Sequence, residues 1–401
     1  VEVEIGRGKK GRRGYGFDDI AIVPSRRTRD PDDIDITLNL GPYRLELPLL
    51  ASAMDGVVSP ETAVLVNQLG GLAVLNLEGI WSRYEDADVQ LERISQAPPE
   101  TATRLMQEIY TEPVKPELIA GRIEEIKAQG AVACGALTPQ KVNQYHEVAL
   151  EAGLDILVIQ GTVISAEHVS QSVDPLNLKE FIAALPVPCI VGGCASYLTG
   201  LHLMRTGAVG VLVGVGPGAA CTTRGVIGVG VPQATAIADV AAARSQHMLE
   251  TGQYCNVIGD GGMRTGGDIS KAVACGADAV MVGSPLARAE EAPGRGYHWG
   301  MATFHPSLPR GTRVSTMQDG SLEQILLGPA SDNDGTFNLM GALRTSMATC
   351  GYEDIPSFHR AEVMVAPALQ TEGKALQREQ AVGMGSNGRS AVADGVGVAD
   401  D

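Results

Sequence analysis

Residues 211–235, VLVGVGPGAACTTRGVIGVGVPQAT, hold the side chain best suited to nucleophilic chemistry. Val211, Leu212 and Val213 make a short apolar run of the kind that forms a buried strand, and Gly214, Gly216, Pro217 and Gly218 break it. Cys221 follows on the resulting loop, beside Thr222, Thr223 and Arg224. A thiol on a glycine-rich loop is open to close approach by a ligand, and a neighbouring cation or helix end lowers a thiol's pKa. The same pattern also suits a small apolar plug at the end of a sheet, so the loop alone leaves both roles open.

A second group lies downstream. Asp260, Gly261 and Gly262 end one apolar run, and Gly283 and Ser284 end the next. Glycine amides, a hydroxyl and a nearby helix start are what a phosphate group needs. Asp260 beside them suits a ribose diol; its alternative is to cap a helix starting near Gly267 and Asp268.

These residues need a scaffold that brings strand ends together. Short apolar runs recur at 48–53, 71–75, 131–134, 155–159, 187–191, 209–213, 255–259 and 278–282. Helix-period segments at 59–70, 139–153, 232–250 and 268–276 lie between them, and 76–130 has room for more than one helix. Strands alternating with helices imply a parallel sheet, and eight such units imply a single-domain α/β protein, a (β/α)8 TIM barrel. The segments 151–161, 205–216 and 274–284 repeat one helix–Gly–strand joint. In such a barrel the active site forms at the C-terminal strand ends. Those ends hold Ser52 and Met54, then Gln160, Gly161 and Thr162, then Gly193 and Cys194, then the Cys221 loop and the two glycine groups. Residues 1–47 read as an arm and hairpin, 48–379 as the barrel with a C-terminal extension, and 380–401 as a disordered tail.

The chain has 401 residues, 44% of them hydrophobic but only 4% aromatic, with 49 glycines and 22 prolines. That suits an aliphatic-packed barrel with tight loops. A net charge of −16 disfavours nucleic acid and anionic membrane surfaces as partners. Seven cysteines without a C-x-x-C pair point to a reduced, cytoplasmic protein with no zinc site. No apolar run approaches a membrane span, and no export signal follows Arg12 and Arg13.

The motif GPGAACTTR resembles the catalytic-cysteine signature of the IMP dehydrogenase/GMP reductase family. GDGGMRTGGDISKAVACGADAVMVGSPLARAEEAPG resembles that family's phosphate-binding stretch, and FDDIAIVPS and SAMD resemble its N-terminal motifs. The resemblance runs over roughly 15–380. It implies that Cys221 attacks C2 of the purine of GMP or IMP, that Thr223 takes part in proton transfer, and that NAD or NADP exchanges the hydride. It implies that Asp260 holds ribose, and that Gly218, Gly261, Gly262, Gly283, Ser284, Ser52, Met54, Gly300 and Met301 surround the nucleotide. It places Gln160, Gly161 and Thr162 beside the cofactor, puts Gly214, Gly216 and Cys221 carbonyls around a monovalent cation such as K+, and suggests a homotetramer or homo-octamer.

The departures from the family matter equally. The 76–130 segment is too short for a CBS-domain pair. EAPG at 291–294 runs almost directly into Gly300 and Met301, so the family's water-activating flap is nearly gone. Gln160, Gly193 and Ala219 stand where the family has Asp, Asn and Ser. The pattern is similar to a CBS-less bacterial branch. Without a flap to drive hydrolysis, the expectation is GMP reduction with NADPH, releasing ammonia, with Glu290 or Glu291 as the carboxylate partner of Thr223. The alternatives are IMP oxidation with an unusual base, such as His298 or His305, and a nucleotide-binding barrel that regulates without catalysis.

Overall fold

Eight short parallel strands close into a barrel in the computed structural model, which describes residues 2–164, 176–300, 312–366, 374–380 and 382–383. They are β1 (Leu49–Ala51), β2 (Leu72–Asn76), β3 (Cys134–Leu137), β4 (Ile156–Gln160), β5 (Cys189–Cys194), β6 (Gly210–Val213), β7 (Asn256–Asp260) and β8 (Ala279–Val282). Each pairs in parallel with its sequence neighbour, and β8 pairs with β1 to close the ring. The eight expected runs all become barrel strands, and the TIM barrel is the fold.

Strand alternation sorts the side chains. Leu50, Leu72, Val74, Ile156, Val158, Ile190, Leu212, Ile258 and Met281 pack together inside the barrel. Their neighbours Leu49, Ala73, Leu75, Leu157, Ile159, Val211 and Val257 belong to the larger cluster shared with the helices. The interior is closed from the N-terminal end by a hairpin, Leu38–Leu40 paired with Tyr43–Leu45, whose Leu38, Leu40 and Leu45 join the inner cluster. That hairpin falls inside the expected arm. The chain's first hairpin, Glu2–Gly6 with Lys9–Arg12, stays on the surface and is tied down by Arg12 to Asp239 at 2.8 Å. The strand Ile20–Ile22 pairs with Val363–Val365, so the arm is fastened to the C-terminal extension.

The helices follow the sequence periodicity. Segment 59–70 becomes α1 (Pro60–Gln68), capped by Ser59, and 76–130 becomes α2 (Ala87–Gln96), α3 (Pro99–Ile109) and α4 (Pro116–Ala128), with no inserted domain. Next come α5 (Val142–Glu151), α6 (Leu178–Ala184), α7 (Tyr197–Met204), the short α8 (Thr223–Ile227), α9 (Gln233–Thr251) and α10 (Gly266–Ala274). The cap of α10 is Thr265, whose hydroxyl accepts from the Asp268 amide while Asp268 reaches back in a capping box. The capping alternative for Asp260 is thereby removed. Of the expected tail, 381 and 384–401 lie outside the described residues.

Below β8, Asp278 is buried and fully used. It accepts from Arg244 Nη1 at 2.6 Å, from the Val257 amide at 2.7 Å and from the Tyr254 hydroxyl. His359 Nε2 of the C-terminal extension lies 3.0 Å from Ala277 O, beside Arg244. Burial lowers the His359 pKa, so this imidazole stays neutral near pH 7. Removing the arginine strands a buried carboxylate. Arg244→Ala should therefore lower unfolding free energy by about 3–5 kcal/mol, read as a fall in the urea midpoint.

Candidate active site

A cavity of about 820 Å³ opens at the C-terminal strand ends, and the residues singled out for chemistry converge on it. Cys221 follows β6 on the loop leading into α8 and is exposed, whereas Cys275 is half-buried and the other five cysteines are buried. Burial pushes the Cys189 and Cys194 thiols up to about 12 and Cys275 up to about 11, which makes them inert. Cys221 Sγ lies 3.2 Å from Thr223 Oγ1, and Thr223 is itself buried at the start of α8. The plug reading of Cys221 fails on exposure. Arg224 does not face the sulfur: its guanidinium donates to Val231 O at 2.6 Å and Val215 O at 3.4 Å, stapling the loop to itself.

The glycine groups fit against that loop without room for side chains. Gly262 has a φ of +81°, and a Cβ there would sit 2.9 Å from Pro217 Cβ. A Cβ on Gly283 would sit 2.5 Å from Met54 Sδ, which draws the ends of β8 and β1 together. Ser52, Met54, Gly218, Asp260, Gly261, Gly262, Gly283, Ser284 and Gly300 all line the cavity. So do Gln160, Gly161 and Thr162, and so do Gly214 and Gly216, the other residues expected around a cation. Met301 and His305 lie outside the described residues.

Asp260 accepts from Gln160 Nε2 at 3.3 Å, and burial pushes its carboxyl up to about 7. Gln160 Oε1 is buried with no partner among the described residues. Ser284 Oγ lies 2.7 Å from His298 Nε2. His298 is buried, and desolvation lowers its pKa to about 4, so it is a neutral imidazole paired with the serine of the expected phosphate cradle.

Glu290 and Glu291 are not brought to the site. Glu290 is exposed, and Glu291 Oε2 accepts from the Leu322 amide at 3.0 Å, at the start of helix Leu322–Leu327; neither lines the cavity. After Ser284 the chain turns through a short 3-10 helix, Leu286–Arg288, and Ala289 bridges to Gly320, which carries both glutamates away. Sequence reasoning missed Asp18 of the arm, Thr138 to Gln140 after β3, and Arg264, all of which line the cavity. Asp18 and Arg264 had a signal, their places in FDDIAIVPS and in GDGGMRTGGD.

The family model described as the IMP dehydrogenase/GMP reductase domain matches residues 14–375. The chain belongs to the IMP dehydrogenase/GMP reductase family. It is 45% identical to an uncharacterized oxidoreductase of Mycolicibacterium smegmatis, over 90% of this chain and 99% of that protein. It is 26% identical to the inosine-5'-monophosphate dehydrogenase of Methanocaldococcus jannaschii, over 90% of this chain and 95% of that one. A crystal structure of an IMP dehydrogenase/GMP reductase-like protein from Corynebacterium glutamicum, 44% identical, superposes with a TM-score of 0.87 over 91% of this chain and 97% of that one. The chain is therefore a nicotinamide-dependent oxidoreductase of this family. One departure from the family pattern has a local cause. A Cβ at Gly193 would lie 2.6 Å from Gly214 O, leaving no space for the family's asparagine.

Exposure of a single thiol has a direct readout. Brief iodoacetamide treatment of the native protein should alkylate Cys221 first and the remaining cysteines only after unfolding, as read by peptide mass spectrometry. The raised Asp260 pKa has a second one. The folded state holds this proton up to about pH 7, whereas the unfolded chain releases it at about pH 4. This carboxyl therefore subtracts stability as pH rises through that window. Asp260→Asn should gain stability relative to the parent protein as pH rises through the same window, measured by paired urea titrations.

Proposed function

We propose that this protein oxidises or reduces C2 of a purine nucleoside monophosphate through a covalent bond to Cys221, with IMP oxidation as the physiological direction. The observation that carries this reading is the one exposed thiol, 3.2 Å from a buried threonine hydroxyl, in a cavity shared with Asp260 and the Gly262, Gly283 and Ser284 cradle. Ser284 and the glycine amides suit the phosphate, and Asp260 suits the ribose diol once ionised. Such a nucleotide would present C2 to the sulfur.

Beyond the thiol the cavity continues to Thr138, Pro139 and Gln140 after β3 and to Gly161, Thr162 and Val163 after β4. The buried, partnerless Gln160 Oε1 is an acceptor for a donor brought by a ligand. These residues fit a nicotinamide cofactor, whose contribution is to accept the hydride from C2. The protein's own part begins with the Cys221 thiol adding to C2 of IMP across the C2=N3 bond, its proton passing to N3. Thr223 Oγ1 donates to the sulfur while it is anionic. After hydride loss the carbon–sulfur bond is cleaved by water, giving the 2-oxo purine and restoring the thiol.

The proposed direction is supported by where protons can move. GMP reduction needs a donor for departing ammonia, and Glu290 and Glu291, expected to serve Thr223, do not line the cavity. The Methanocaldococcus relative named inosine-5'-monophosphate dehydrogenase lends weight to oxidation. The shortened segment between Gly294 and Gly300 favours the second reading, GMP reduction with NADPH. The seven free cysteines favour a reducing, cytoplasmic location.

The experiment pairs IMP with NAD or NADP, and GMP with NADH or NADPH, and follows the reduced nicotinamide by its near-ultraviolet absorbance. Turnover with IMP is expected, and Cys221→Ser should abolish it while retaining IMP binding. Turnover with GMP alone would reverse the direction, and equal turnover by the Cys221→Ser protein would overturn the covalent reading.

A further inference from the structure

We infer that His298 is a positioning residue for the phosphate of the substrate: its Nε2–H donates to Ser284 Oγ, so that the serine's only hydrogen is left for a phosphate oxygen. This rests on the nucleotide reading of the cavity. The geometry supplies the argument. The two groups come from separate elements, Ser284 from the end of β8 and His298 from the short strand Tyr297–His298, which pairs with Val314–Ser315. They meet at 2.7 Å, and both line the cavity.

The hydrogen-bond inventory fixes the direction of donation. A serine hydroxyl has one hydrogen, and a neutral imidazole has one donor and one acceptor nitrogen. His298 Nδ1 is buried with no hydrogen-bond partner among the described residues. If Nδ1 held the proton, a donor would be orphaned inside the protein and Ser284 would spend its hydrogen on Nε2. With the proton on Nε2, the orphan is an acceptor, the better-tolerated case by analogy with backbone groups, where unpaired N–H donors are rarer than under-satisfied carbonyls. Ser284 is then oriented with its hydrogen free. Burial, which lowers the imidazole pKa to about 4, keeps this neutral form across the physiological range.

The imidazole is held rather than loosely packed. The next residue, Trp299, is buried and donates from Nε1 to the Tyr110 hydroxyl at 2.7 Å. Tyr110 in turn donates to the buried Asp55 at the end of β1, which also accepts from Asn76 Nδ2 at 3.4 Å. A Cβ on Gly56 would lie 2.8 Å from Tyr297 O, so the β1 end and the His298 strand are in direct contact. This chain of contacts ties the position of His298 to the same strand that brings Met54 to the cavity.

The test compares the parent protein with His298→Leu and His298→Gln by calorimetric titration of IMP and of inosine, without cofactor. His298→Leu should weaken IMP binding about tenfold, the worth of one misdirected hydrogen bond, with inosine affinity unmoved. His298→Gln, which can place an amide N–H where Nε2 stood, should recover most of the loss. A Ser284→Ala background should make the His298→Leu change silent for IMP. Should His298→Leu not fold, 15N-histidine NMR of the parent protein decides: the Nε2-protonated tautomer is expected, and the other tautomer overturns the inference. Equal loss for IMP and inosine, or no loss for IMP, also overturns it. A parent protein that binds neither ligand overturns the nucleotide reading as well, a result distinct from any of these.

Discussion

One side-chain amide ties the chemistry together. Gln233, buried at the start of α9, donates from Nε2 to Val213 O at 2.6 Å and to Asp260 O at 3.0 Å. These carbonyls end β6 and β7, where the parallel ladder stops at Val213 and Gly259. Beyond that point the sheet no longer holds the two chains in register. The thiol loop leaves from one and the Asp260–Gly262 group, proposed for ribose and phosphate, from the other, so this bridge sets their separation. A Cβ on Gly214 would clash with the same Asp260 O at 2.1 Å, which leaves no tolerance for a side chain between them. Each neutral hydrogen bond contributes only about 1 kcal/mol net. Losing both would remove this side-chain bridge between the two strand ends, and the register of the site would relax.

Electrostatics at the mouth run against the surface charge. The chain carries −16 overall, yet in the cavity burial pushes the Asp260 carboxyl up to about 7 and keeps His298 neutral, beside uncharged glycine amides. A dianionic phosphate entering such a site meets little repulsion from its first contacts. Desolvation does this for Asp260 and His298, both pushed toward their neutral forms, while Arg264 and Asp18 also line the cavity. Arg224, the cation beside the thiol in sequence, is spent on loop carbonyls and shapes the loop rather than its charge.

The barrel was legible because its strands are short apolar runs stopped by glycine, and the C-terminal-end rule turns a strand list into a site list. Boundaries shifted where glycine does structural work inside a strand. β3 spans Cys134–Leu137 rather than 131–134, because Gly135 is a ladder residue whose missing Cβ makes way for Leu77 Cδ1. Residues fixed by strand ends, such as Asp260, Gly283 and Ser284, came out in the cavity. Those one turn further on did not. Glu290 follows Ser284 by six positions, and the intervening 3-10 helix aims it outward, a direction no spacing rule encodes. The Ser284–His298 contact joins positions 14 apart across an irregular segment, so only coordinates could find it.

This placement bears on how the family's two reactions differ. On the proposed reading both use the thiol, the hydride partner and the nucleotide cradle, and they differ in the direction of hydride transfer and in what protonates or deprotonates the group at C2. Among the described lining residues the carboxylates are Asp18 and Asp260, one from the arm and one beside the ribose position. His298, the candidate replacement for a lost base, is committed to Ser284 and therefore to the phosphate end. Thr223, bonded to the sulfur, is the sole proton-bearing side chain in direct contact with Cys221 among the described residues. A threonine hydroxyl relays a proton but does not hold one, so on the proposed reading the reaction's second half draws on water entering the open cavity. That requirement suits hydrolysis of an adduct, in which water is already a reactant, better than expulsion of ammonia, which needs an acid standing ready at C2.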